Sequence, residues 1–323
     1  MKGQLLVADI GGTNARFALA DAGSGVISSA QVLRADDHPC VEAAARAYLG
    51  RVGVRPLRAC FAVAAPVGAG VNSDEVAFVN SDWRFEISSL KRALRLDQLI
   101  VVNDFFALGS SVAHLPADFI VPVKAGRGVL DAPVVVIGPG TGLGQALIVP
   151  CGGGGARRVV ATEGGHVGFA ARTAEEFGIV QQIARRFGRV SAERIVSGPG
   201  LENLYAAVCA QNAARGDNMS AEQITAAALA QTDPAAVRAV ELFCLFLGRL
   251  AGDAVLSAGA RGGVVLGGGI APKIRESLLA SGFVDGFVDK GRMRAFVEPV
   301  PVSMIVKPGA ALIGAAAMLR EAV

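Results

Sequence analysis

The sequence predicts an α/β protein of two domains, and three observations carry that expectation. The chain has 323 residues, which fits two domains of ordinary size. Short apolar runs that end in glycines or an acid crowd the first half, and Ala-rich stretches with helical spacing dominate the second. A strand, glycine turn, strand pattern occurs twice, after Asp9 and again at Gly138, an internal echo that fits a duplicated fold.

Composition narrows the class. Hydrophobic residues make up 52 %, enough for a sizeable core and too many for a disordered chain. The net charge is +3 and the arginines are scattered, with no basic stripe interleaved with aromatics, which argues against a nucleic-acid partner. Cys40, Cys60, Cys151, Cys209 and Cys244 are widely spaced without a CxxC, against a disulfide framework or a Cys-rich zinc site. The first strand begins too near Met1 for a signal peptide to precede it. The longest charge-free stretch, 132–156, carries three prolines and eight glycines, so it cannot be a membrane helix. The expectation is a soluble cytoplasmic enzyme with no membrane partner.

Taken in order, residues 5–10 read as a buried strand and Phe17 opens a second. Residues 28–33 suit a third strand, and 41–49 a helix stopped by Gly50. Residues 59–64 are a strand stopped by Pro66, and 76–79 another that leads to Asn80-Ser81-Asp82-Trp83, a turn with a packed Trp or the border of a ligand pocket. Ser88 is placed to cap a short helix through Leu94. Residues 99–102 form a buried strand ending at Asn103-Asp104, and 105–113 a helix. Residues 134–137 run into Gly138-Pro139-Gly140-Thr141-Gly142-Leu143-Gly144, and 145–149 resume as a strand. Gly152 to Gly155 read as a flexible hairpin tip. Thr173 with Glu176 and Ser220 with Gln223 are capping boxes, and Pro199-Gly200 precede a helix through about Ala210. The long helix 237–256 contains Arg238, Glu241, Arg249 and Asp253, so it is a core helix. Residues 264–266 are a strand ending in Gly267-Gly268-Gly269, 302–306 a last strand and 310–319 a last helix.

Four strand ends therefore carry functional residue types, and in open α/β sheets ligands gather beyond the carboxyl ends of strands. The first is Asp9-Ile10-Gly11-Gly12-Thr13-Asn14-Ala15-Arg16. Its glycines bring backbone N–H groups close to a ligand, and Thr13, Asn14 and Arg16 add donors for phosphate oxygens. Asp9 suits a hydrated Mg²⁺ held through water. Taken alone, this motif is also compatible with a plain Gly-rich β-turn. The others are Asn103-Asp104, Gly138 to Gly144 and Gly267 to Gly269. Asp104 reads either as a helix cap or as a base, and Glu193 either as an acid at a helix start or as a ligand. His166, between glycines and three residues after Glu163, is either a structural histidine or a ligand. No Walker A loop is present, because none of the six lysines follows a glycine. A dinucleotide GxGxxG fails as well, since Gly138, Gly140, Gly142 and Gly144 recur every second residue.

Residues 6–16, 102–105 and 138–144, Glu163-Gly164-Gly165-His166, and 191–194 through Ser197-Gly198-Pro199-Gly200 together resemble the bacterial glucokinase family. The resemblance runs nearly end to end and implies the two-domain actin-like ATPase (ribonuclease H-like) fold of the hexokinase, actin and Hsp70 superfold, with a deep interdomain cleft. The smaller domain would hold residues 1–113 plus 306–323, and the larger 114–305. The implied activity is phosphorylation of glucose on its 6-hydroxyl by ATP with Mg²⁺, by a homodimer. By resemblance Asp104 is the catalytic base, and Asn103, Glu163, His166 and Glu193 bind the sugar. Asp9, Gly11, Gly12 and Thr13 form the first phosphate turn, Gly138, Gly140, Thr141 and Gly142 belong to the second, and Gly267, Gly268 and Gly269 form the adenosine turn. Related sugar kinases and sugar-responsive repressors carry a zinc-binding cysteine cluster after the Glu-x-Gly-His motif. No cysteine lies between Cys151 and Cys209, which places this chain with the zinc-free branch, and there is no room for a DNA-binding domain ahead of the first strand. The alternatives are a kinase for fructose, mannose or an N-acetylhexosamine, and a non-catalytic sugar sensor.

Overall fold

The structure is a computed structural model that describes residues 3–65, 67, 74–78, 81–152, 155–211 and 218–322. Pro66, Val79, Asn80, Gly153 and Gly154, which figure in the expectations above, lie outside the described residues. The chain divides into two compact units, Met1–Phe119 with Lys307–Val323, and Ile120–Val306.

In the first unit, β1 (Gln4–Ile10), β2 (Asn14–Asp21) and β3 (Ile27–Arg34) form an antiparallel meander. Helix α1 (Val41–Val52) leads to β4 (Arg58–Val63), which pairs parallel to β1. A small hairpin of β5 (Glu75–Ala77) and β6 (Arg84–Glu86) and helix α2 (Ile87–Ala93) lead to β7 (Gln98–Asn103), parallel to β4. Helix α3 (Asp104–Ser111) follows, and the sheet order is β3-β2-β1-β4-β7. Burial of both faces of β1 explains why it is a continuous apolar run. Leu6, Ala8 and Ile10 join a core with Phe17, Tyr48, Phe61 and Trp83. Leu5 and Val7 point the other way, onto Leu312, Ala315, Ala316 and Leu319 of the C-terminal helix Ala310–Glu321. That helix also packs on α3. A Cβ at its Gly314 would collide with Ala107 O, so glycine sets this close approach.

The second unit begins with β8 (Ile120–Lys124), β9 (Val134–Pro139), β10 (Leu143–Pro150) and β11 (Arg157–Thr162). Helices α4 (Ala174–Phe187), α5 (Gly198–Gln211), α6 (Ala221–Leu229) and α7 (Pro234–Ala258) come next, then β12 (Gly263–Leu266). Three short helices, α8 (Arg275–Ala280), α9 (Phe283–Val288) and α10 (Arg294–Val297), precede β13 (Val302–Ile305). The sheet order is β11-β10-β9-β12-β13-β8. Its first five strands repeat the first unit: three antiparallel strands, then two parallel ones. The sequence echo is thus a topological repeat, to which β8 adds an antiparallel edge. The core centres on α7, where Phe243, Phe246 and Leu247 are fully buried. Glycines Gly248 and Gly252 let α9 press on it, since a Cβ at either would strike the backbone of Phe283 or Phe287.

Several local expectations change. Helix α1 runs past Gly50 and ends at Gly53, whose φ of 68° is left-handed. Ser88 does not cap α2. It lies in the first turn, and Asp74 receives both its backbone N–H at 3.0 Å and its hydroxyl at 2.6 Å. The Ser220–Gln223 capping box is complete, whereas Thr173–Glu176 is half of one. Thr173 accepts the Glu176 N–H, but the Glu176 carboxylate turns inward to Arg249, with Nη1–Oε2 at 2.9 Å and Nη2–Oε1 at 3.1 Å. Both side chains are nearly buried, at 6 % and 3 % exposure. Helix α5 starts at Gly198, so Pro199 and Gly200 lie in its first turn, and α7 starts at Pro234 with Asp233 as its cap. Strands β8 and β11 were not anticipated. Pro122 breaks the pattern of the first, and the second opens on two exposed arginines, so neither shows an apolar alternation. Among the described residues no helix is long and apolar enough to cross a membrane.

Candidate active site

The first unit gathers its candidate residues at one edge of its sheet. Asp9, Ala62 and Val102 stand in register across β1, β4 and β7, and Ile10, Val63 and Asn103 form the next row. These three strands are parallel, so Asp9 and Asn103-Asp104 share their carboxyl ends. Two strand spacings separate them, about 10 Å. Between β1 and β2 the chain turns through Gly11 to Asn14, closed by Gly11 N donating to Asn14 O at 2.9 Å. Neither Gly11 nor Gly12 has a left-handed φ. Gly11 leaves room: a Cβ there would meet only Asn14 O, at 3.7 Å. Thr13 is exposed, and its carbonyl accepts from Ala35 N at 2.9 Å.

Burial pushes the Asp9 carboxyl up, and the Arg16 guanidinium 3.4 Å away pulls part of that back. An acid in this state favours a further cation. No cluster of three or more ligating side chains exists among the described residues. A single half-buried carboxylate therefore fits Mg²⁺ carried on phosphates with its own water, and does not fit an all-protein cage.

Asn103 is the N-cap of α3. Its Oδ1 accepts from Phe105 N at 2.9 Å and Phe106 N at 3.2 Å. This answers the capping question for Asp104, which stands at the first helical position with Oδ1 accepting from Phe105 N at 2.9 Å. It also leaves Asn103 with its amide Nδ2, 3.5 Å from Ala65 O, as the group that can serve a ligand.

The second unit builds its set around the β9–β10 turn. Leu266 pairs with Ile137, so Gly138, still within β9, lies beside Gly267, the residue that follows β12. A Cβ at Gly138 would land on Gly267 O, and one at Gly268 on Pro139 O. Gly268 also has a φ of 78°, which only glycine takes readily. The two glycine turns are thus packed backbone on backbone. Glu163 and His166 flank a single 3₁₀ turn, with Nε2–Oε2 at 3.8 Å and side-chain exposures of 60 % and 48 %. That exposure does not suit a structural histidine. Glu193 is not at a helix start, since α5 begins five residues later. It sits in the preceding turn, and its Oε2 accepts from Leu143 N at 2.9 Å.

Three supporting contacts went unread in the sequence. Arg189 Nη2 donates to His166 O at 2.7 Å, Gln145 lies under Gly164, and Glu193 reaches Leu143. Each joins residues about twenty or more apart, and no short motif signals such a pair.

A family model described as Glucokinase matches residues 6–322. A glucokinase of Klebsiella pneumoniae subsp. pneumoniae is 40 % identical over 318 residues, covering 98 % of this chain and 97 % of that one. The solved structure of a glucokinase from an Antarctic psychrotroph superposes with a TM-score of 0.82 at 37 % identity, over 99 % of this chain and 100 % of the other. A Balamuthia mandrillaris glucokinase solved in complex with glucose has the same fold, with a TM-score of 0.81 at 22 % identity over 99 % and 94 % of the two chains.

Proposed function

The chain belongs to the glucokinase family, and from that premise we propose how its residues carry out ATP-dependent phosphorylation of glucose. It is a sugar kinase, and the hydroxyl phosphorylated is taken to be the 6-hydroxyl. The observation that carries the reading is the shared strand-end row of the first unit: a phosphate-type turn and an Asn-Asp pair about 10 Å apart on one sheet edge. The repeated strand order supports an actin-like, ribonuclease H-like fold. In this reading water is excluded from the bound substrates, so it does not compete as an acceptor.

Phosphoryl transfer asks a protein mainly to position groups and to stabilise charge. Asp104 accepts the proton of the attacking hydroxyl as the new P–O bond forms and the bond to the leaving ADP breaks. Asn103, with its oxygen committed to α3, donates Nδ2–H to a sugar oxygen. Glu163 and His166 bracket further hydroxyls, and Glu193 accepts another. The backbone of Gly11 to Thr13 and of Gly138 to Gly142 grips phosphate oxygens, with Asn14 and Arg16 beside the first turn, and Gly267 to Gly269 border the adenosine. Asp9 would hold Mg²⁺ through water, where the ion neutralises phosphate charge. A site built on hydroxyl hydrogen bonds discriminates strongly between sugars that differ in one of them.

The test is Asp104→Ala. ADP release in the presence of glucose falls by about 10²–10⁴-fold, while calorimetric glucose binding persists. Near-normal turnover in this variant would remove the base assignment.

A further inference from the structure

We infer that Glu193 is a positioning residue for the second phosphate turn, and that this one carboxylate couples the sugar site to the nucleotide site. The inference rests on the glucose-kinase reading above and goes beyond sugar contact.

The two oxygens of Glu193 have different surroundings. Oε2 accepts the Leu143 N–H at 2.9 Å, and Leu143 is the residue that follows Gly142 in the turn. A Cβ placed on Gly142 would collide with that same oxygen and lie 3.3 Å from Cδ. Glycine at 142 is therefore what admits the carboxylate to the turn. Oε1 stands farther off, 4.0 Å from the same point, and is the oxygen that takes a sugar hydroxyl. A carboxylate has lone pairs enough for both duties at once.

The Glu193 backbone is tied to the other half of the sugar set. Its N–H donates to Gly165 O at 2.9 Å, within the 3₁₀ turn that carries Glu163 and His166. Gly165 in turn abuts the turn strand, since a Cβ there would land on Leu143 O. The Leu143 residue is thus held from two directions, its N–H by the Glu193 carboxylate and its carbonyl against Gly165. Two more bonds hold the segment in place: Ser197 Oγ donates to Glu193 O at 2.7 Å, and Gly198 N to Gly140 O at 2.8 Å. Sugar ligands and phosphate turn are one hydrogen-bonded body with Glu193 at its joint. A shift of the carboxylate that sugar binding favours is felt at the Leu143 amide, and by linkage the reverse holds equally.

Three variants separate this role from plain sugar contact. Glu193→Gln keeps one oxygen for the Leu143 N–H and turns the outer atom into a donor. Its glucose KM rises about 10–100-fold while its ATP KM stays near the parent value. Glu193→Ala loses both bonds, and its ATP KM also rises, about 10-fold. Gly142→Ala pushes the carboxylate off the turn, so glucose affinity measured by calorimetry with no nucleotide present weakens about 10-fold, within the usual range of site coupling. Should Glu193→Ala fail to fold, the other two variants carry the test. An unchanged ATP KM in Glu193→Ala, or an unchanged glucose affinity in Gly142→Ala, overturns the inference. A parent protein that neither binds nor phosphorylates glucose overturns the kinase reading instead, so the two failures are distinct.

Discussion

In the first unit the β1–β2 turn opens from an acid, Asp9, half-buried beside Arg16; in the second the matching β9–β10 turn, Gly138 to Gly144, has no charged residue of its own and is held from outside by Glu193. The same glycine-rich pattern has two physical meanings. Gly11 leaves space, since a Cβ there would touch only Asn14 O at 3.7 Å. Gly138 fills space, since a Cβ there would strike Gly267 O. The two units share a strand order and differ in what their turns carry. One carries the charged groups, Asp9 and Asp104. The other carries the tightly packed backbone turns and the side chains proposed to bind the sugar, Glu163, His166 and Glu193.

The largest expected effect breaks the charged half. Asp104→Ala lowers kcat by about 10²–10⁴-fold with little change in melting temperature, as read by ADP release and thermal melts. The matching break in the second unit is structural. Arg249→Met leaves Glu176 buried without its partner and destabilises by about 3–5 kcal/mol in chemical denaturation. Next comes the glycine contrast. Gly138→Ala costs about 1–3 kcal/mol through overpacking, whereas Gly11→Ala leaves stability close to the parent value and shows itself in the KM for ATP. Equal stability losses in the two would erase the distinction between open and packed turns.

The smallest effect is acid sensitivity. Burial pushes the Glu176 carboxyl up, but the Arg249 hydrogen bonds, the Arg172 N–H and the Thr173 backbone bring it below the ordinary glutamate value. A group lowered in the fold stabilises fully above its unfolded pKa and loses that contribution as pH falls through the folded value, so the window lies below about pH 4. Stability measured against pH should therefore fall less steeply on the acid side in Glu176→Gln than in the parent. Identical acid slopes would remove Glu176 from the account.

Much of this was legible because buried strands advertise themselves. The run Leu5 to Ala8 is apolar on both faces, and the residues that follow such runs mark the strand ends where ligands gather. The second glycine turn was legible for the same reason. What stayed hidden depended on distance along the chain or on weak local pattern. Glu193 and Leu143 are fifty residues apart, and nothing at either position announces the bond. Asp74 accepts the Ser88 N–H at the start of α2 from fourteen residues away, a distance at which no short motif shows it. Strand β11 pairs along β10 through its backbone, and its exposed Arg157 and Arg158 give no apolar alternation to read. The Thr173–Glu176 pair misled for a tertiary reason, since the Glu176 carboxylate is drawn to the buried Arg249 guanidinium and to the Arg172 N–H at 2.6 Å.

This chain moves the phosphoryl group of ATP to glucose. Steady-state ADP release, measured without sugar and then with glucose, mannose, fructose and N-acetylglucosamine in turn, tests it most directly. Little release is expected without sugar, and the highest kcat/KM with glucose. Release that no sugar stimulates would contradict it.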